Sequence, residues 1–155
     1  MMVLNNKMKR YLNWTPKADM GDLGNLEFVK LGEGYFFKRE VNDNLILVSN
    51  LLSKDAASDW AGHEKFANKI HLEAETNAPI AETAAAGIDL AQQLADKFKL
   101  TFPNQQAVFS LGCDEFGEFP SVTLSFYVKR EGMLPLLPED EAALDSFASA
   151  LMIVL

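Results

Sequence analysis

A chain of 155 residues, 48% hydrophobic and 23% charged, has the size of one domain and can bury enough surface to need no covalent staple. Its 22 acidic residues against 14 basic ones leave a net charge of −8, which repels phosphate backbones and argues against a nucleic-acid partner. No run of about 18 apolar residues offers a membrane span, and the lone Cys113 permits no internal disulfide, so a reducing, cytoplasmic setting is expected.

The amino end, MMVLNNKMKRYLNW, is basic and has no continuous apolar stretch, so a secretory signal is not expected. Met8, Tyr11, Leu12 and Trp14 can form a short amphipathic helix ended by Pro16. The segment KADMGDLGN reads as a loop. Residues 26–49 then read as a three-strand meander, LEFVKL, YFFKREV and LILVS, because β-branched and aromatic residues dominate each run. Gly32-Glu33-Gly34 and Asn42-Asp43-Asn44 are the turns between them, since these residue types tolerate positive φ. Over residues 50–76 a helix capped by Ser58 is expected, with Trp60, Phe66 and Ile70 as its apolar contacts.

Ile80, Ala84, Ile88, Ala91, Ala95 and Phe98 recur at steps of three and four and share one helical face. The predicted helix starts after a capping Asn77, with Pro79 in its first turn, and ends near Lys99 ahead of Pro103. Residues 105–129 predict a hairpin. Val122, Leu124, Phe126 and Val128 alternate with Ser121, Thr123, Ser125 and Tyr127, which is the clearest period-two pattern in the chain. Asp114-Glu115-Phe116-Gly117 supplies the turn. A last helix is expected from Pro138, with Leu144, Phe147, Ala148 and Leu151 as its stripe. The six consecutive apolar residues Ala150–Leu155 exceed one stripe, so that helix is expected to be buried on several sides, in the core or in a symmetric homodimer.

Short connections favour antiparallel pairing of sequential strands. The expected fold is a single α+β domain over residues 1–155: about five antiparallel strands, with two to four helices packed mainly on one face.

Motifs for chemistry are sparse. Gly-x-Ser-x-Gly and P-loop patterns are absent, and Gly32-x-Gly34 lacks the rest of a dinucleotide fingerprint. His63 and His71 are eight residues apart, not at the i, i+4 spacing that puts two imidazoles on one helical face, so no metal is expected. Asp114 and Glu115 beside Cys113 oppose its thiolate. No cofactor is expected. Two features point to a partner. Tyr35, Phe36 and Phe37 are consecutive in a predicted strand, so both sheet faces carry an aromatic, and Tyr127 adds one opposite its strand's apolar side. If helices cover one face only, Phe36, Phe37 and Tyr127 become an apolar anchor. Asp114, Glu115 and Glu118 become an acidic rim that steers a basic partner.

FANKIHLE (Phe66–Glu73), KFKLTFP (Lys97–Pro103) and FYVKREG (Phe126–Gly132) resemble small uncharacterised bacterial proteins with toxin-immunity-like roles. The order of elements and the acidity resemble the small dimeric chaperones of type III secretion, from which the long 50–78 segment departs. Both resemblances imply a non-enzymatic protein that binds another protein. The alternative is a small-ligand binder or enzyme with a pocket between the sheet and residues 50–78, where His63, His71 and Glu73 would converge.

Overall fold

The computed structural model describes residues 1–39 and 60–155. Its elements in order are β1 (Met2–Leu4), α1 (Asn6–Lys9), a 3-10 turn (Gly21–Asn25), β2 (Phe28–Leu31), β3 (Gly34–Phe37), α2 (Trp60–Ala67) and β4 (Ile70–His71). There follow α3 (Leu72–Thr76), α4 (Ile80–Thr101), β5 (Ala107–Asp114), β6 (Ser121–Val128), α5 (Glu141–Leu144) and β7 (Ala150–Val154). Among the described residues the fold is the expected α+β class, with a five-stranded antiparallel sheet in the order β1-β7-β5-β6-β4.

The strands are not all those the sequence suggests. The β5–β6 hairpin forms in the expected place, with Phe109 opposite Phe126 and Leu111 opposite Leu124. β2 and β3 also form, and among the described residues they pair with each other alone. The third strand of the expected meander, the Asn42-Asp43-Asn44 turn and the Ser58 cap lie outside the described residues.

The expected carboxy-terminal helix is a correction. One helical turn, α5, is capped by the Asp140 side chain accepting from Ala143 N. Residues Ala150–Val154 then form β7, between β1 and β5. Ala150, Met152 and Val154 enter the main core, and Ile153 faces the opposite cluster. An inner strand covered on both faces has no period, so the apolar run is absorbed inside the molecule. The argument for a homodimer through that helix falls with it.

Helix α4 lies on the main-core face of β5 and β6 and carries the expected stripe: Ala84, Ile88, Ala91 and Phe98 are buried, while Ile80 and Ala95 are half-buried against the same core. Gly87 permits the close approach, because a Cβ there would meet the Leu111 and Leu72 side-chain methyls at 3.1 Å. Asn77 does not cap this helix. It takes a left-handed φ of 56° at the end of α3, and Pro79 occupies the start of α4. Asn tolerates that conformation better than other side chains do, so it serves as a stop rather than a start. The core beneath α4 is aromatic: Phe37 and Phe109 each lie 4.8 Å from Phe126, and Phe28 meets Phe98 edge-on at 5.1 Å.

Other expected contacts shift too. Met8 and Tyr11 are buried, whereas Leu12 and Trp14 stay largely exposed. Trp60 packs inward, but Phe66 is exposed and Ile70 belongs to β4. Helix α2 ends at Ala67, so the three residues do not share one helical face.

Three fully buried polar side chains stitch these pieces together. Asn5 accepts from Met8 N at 2.9 Å and Leu151 N at 3.0 Å, and donates to the Leu144 and Ser149 carbonyls. Asn68 accepts from Phe37 N at 2.9 Å and donates to Tyr35 O at 3.0 Å and Phe126 O at 3.3 Å. Its carboxamide thereby stands in for a strand between β3 and β6. Glu64 accepts from Val128 N at 3.0 Å and forms an ion pair with Arg130. Arg130 in turn donates to Val128 O at 2.9 Å and Glu33 O at 2.7 Å, which ties the β2–β3 turn to the end of β6.

Candidate functional site

The expected aromatic anchor is not a surface. Phe36 and Phe37 are fully buried, and Tyr127 is 2% exposed. Phe37 enters the main core, while Phe36 packs under Trp60 and Ala67 of α2. Tyr127 packs with Ala61, Leu144 and the connector residues Met133 and Leu137. Burial raises the pKa of its hydroxyl, which lies against the backbone N–H groups of Leu136 and Leu137. The sheet has a second lid, built from α2, the connector and α5, so exposure of alternate side chains does not follow from one-sided helix packing. These three residues are core.

Asp114, Glu115 and Glu118 stand at the β5–β6 turn, and the three carboxylates differ in their engagements. Asp114 accepts from Gly117 N at 2.9 Å and closes the turn. Glu115 accepts from the buried Tyr11 hydroxyl, which binds the turn to the amino-terminal segment. Burial, then the Glu115 carboxylate, pushes the Tyr11 phenol well above its ordinary range. Glu118 makes no hydrogen bond or ion pair among the described residues.

Two exposed rings stand in the same turn, Phe116 before Gly117-Glu118 and Phe119 after it. Phe116 is 79% exposed and Phe119 80%. The Arg10 guanidinium lies 4.7 Å from the Tyr11 ring centre and 5.1 Å from that of Phe116, bridging the two. The tip therefore presents an aromatic pair on a turn held by Asp114, Glu115 and Arg10.

A family model described as the Uncharacterized protein PM0498 family matches residues 3–154. The chain belongs to that family. No curated protein and no solved structure matches it. Within this PM0498-family chain, the residues missed by the sequence reading are Phe116 and Phe119. A visible signal was there: two phenylalanines inside a turn of Asp, Glu, Gly and Pro have no strand or helix face to bury them.

Cys113 is buried, and its thiol is pushed up to about 11, first by burial and then by the neighbouring carboxylates of Glu115 and Asp114. The expected obstacle to a thiolate is there, with burial as its larger cause.

The alternative pocket lies partly outside the described residues. Within them, His71 Nδ1 is 3.4 Å from Glu73 and exposed. The other Glu73 oxygen accepts from Val122 N at 3.0 Å, at a strand end. His63 lies near the Trp60 ring, 6.3 Å between centres. Among the described residues no three His, Cys, Asp or Glu side chains converge to hold a metal ion, and no helix is long and apolar enough to cross a membrane.

Proposed function

We propose that the protein is a small acidic, non-enzymatic protein-binding module of the cytoplasm, immunity- or chaperone-like in role, that docks a basic protein surface through the β5–β6 tip. The observation that carries this reading is the pair of exposed rings, Phe116 and Phe119, on a turn that Asp114 and Glu115 hold in place. Large exposed rings on a preordered turn lose little conformational entropy on docking, and such anchors dominate interface energetics. Glu118 and the net charge of −8 favour encounter with a basic partner and suppress acidic ones.

The test is capture from native lysate by the immobilised full chain, compared with a Phe116→Ser/Phe119→Ser variant. The parent is expected to retain a basic protein whose affinity falls on the order of a hundredfold in the variant. Because both rings are exposed, folding stability should change by about 0.5 kcal/mol or less. Glu118→Lys should slow association and weaken its salt dependence. Equal retention by parent and double variant would show that the tip is not the docking surface.

A further inference from the structure

A small cavity lies between α2, the end of β6 and the connector that follows it. Its volume is about 140 Å³, close to the roughly 150 Å³ that hold one benzene. Ala61, Tyr127, Met133 and Leu134 line it together with Lys129 and Arg130. Leu134 is 89% exposed and stands at its mouth, so a ligand can enter from solvent. The two cations are not solvated surface groups: their side chains are 27% and 22% exposed. Among the described residues no acidic side chain lines the cavity, in a chain whose net charge is −8.

Two observations point to an occupant that carries a carboxylate. The first is Tyr127. Its buried hydroxyl makes no hydrogen bond among the described residues, and the groups facing it are the N–H donors of Leu136 and Leu137. Its own proton therefore lacks an acceptor, a costly state for a buried donor. The second is Arg130. Its Nη1 donates to Val128 O, its Nη2 to Glu33 O, and an ion pair holds it to Glu64, which does not line the cavity. Its Nε–H keeps no partner among the described residues. Glu64 does not fully neutralise it, because burial raises that carboxyl to about 7 and it holds its proton about half of the time near neutral pH. Arg130 and the Val128 N–H are the groups acting on Glu64. Lys129 and Glu139 pair with each other at 2.5 Å, and Glu33 offers its backbone carbonyl. A cation would be repelled here, a neutral molecule would leave the guanidinium unanswered, and a dianion would need more donors than remain free. The rest of the volume is apolar and takes a short hydrocarbon body.

We propose that this cavity binds an aliphatic monocarboxylate of about four or five carbons, its carboxylate accepting from Arg130 and from the Tyr127 hydroxyl. Binding here is independent of the β5–β6 tip. The test is an NMR titration of the labelled full chain with isovalerate and with its uncharged isostere isovaleramide. Saturable shifts are expected at Ala61, Tyr127–Arg130 and Met133–Leu134 with isovalerate, and binding of the amide should be weaker by at least about tenfold. Tyr127→Phe removes an oxygen that makes no hydrogen bond, so it should fold as the parent does and bind about fivefold more weakly. A protonated Glu64 leaves Arg130 free for another anion, so affinity should rise about tenfold between about pH 8 and about pH 6. Glu64→Gln should hold the higher affinity at both. Phe116→Ser/Phe119→Ser should titrate like the parent. Shifts that do not saturate, equal binding of isovaleramide, an unchanged affinity in Tyr127→Phe, or the same parent affinity at both pH values would overturn the assignment.

Discussion

Asn68→Ala is expected to destabilise the protein by about 3–5 kcal/mol, because it strands buried backbone groups rather than one contact. Phe37 N would lose its acceptor, and the Tyr35 and Phe126 carbonyls would lose their donor. Asn68 is fully buried, so water cannot readily replace the amide. For a chain of this length the melting temperature should fall by about 10 °C or more. Urea unfolding of the two proteins measures it. Asn68→Asp should not rescue, since a carboxylate keeps the acceptor and turns its other oxygen on two carbonyls. A loss under about 1 kcal/mol would mean that β3 is held by its pairing with β2 and its aromatic packing without need of the Asn68 amide.

The second large effect concerns Glu64 and Arg130 and depends on pH. Glu64 is fully buried, and loss of hydration raises its carboxyl to about 7 against the opposing pull of Arg130 and the Val128 N–H. In the unfolded chain the same group titrates at its ordinary 4.5. Between those values the folded protein holds a proton that the unfolded chain has released. Stability from this group is therefore complete below pH 4.5 and is lost as pH rises to about 7, a change on the order of 3 kcal/mol. Glu64→Gln should flatten that slope.

Arg130→Met should cost about 3–5 kcal/mol at about pH 8, where it leaves a buried carboxylate uncompensated. It should cost less at about pH 5, where the carboxyl carries its proton. Urea midpoints at the two pH values, for parent and variants, decide the matter. An equal cost at both would show that Arg130 acts through its bonds to Val128 O and Glu33 O and not through the charge of Glu64.

The parts of the fold that could be read ahead are those with a period. β6 alternates and α4 repeats at three and four, and both formed where their patterns placed them. The pattern of residues 150–154 predicts a helix where β7 forms, because a run buried on both faces looks the same in either conformation. β1 and β4, of three and two residues, are too short to show any pattern, and short edges of this kind protect a sheet from stray pairing. Asn5, Asn68 and Glu64 look like surface residues in sequence, and only the long-range backbone groups they meet make them core.

The same limit explains the misplaced anchor. Whether Phe36, Phe37 and Tyr127 are open depends on a second lid assembled from α2 and residues beyond β6. Local pattern does not reveal that arrangement. The acidic turn needs no long-range information, because its Asp, Glu and Gly residues mark it locally.

Photo-crosslinking in cells tests the docking tip most directly. With benzoyl-phenylalanine replacing Phe119, which is exposed in the tip, a discrete adduct to one basic protein is expected. The same probe replacing Leu100, equally exposed on α4, should give none. No adduct at 119, or the same adduct from both positions, would contradict a partner seated on the β5–β6 turn.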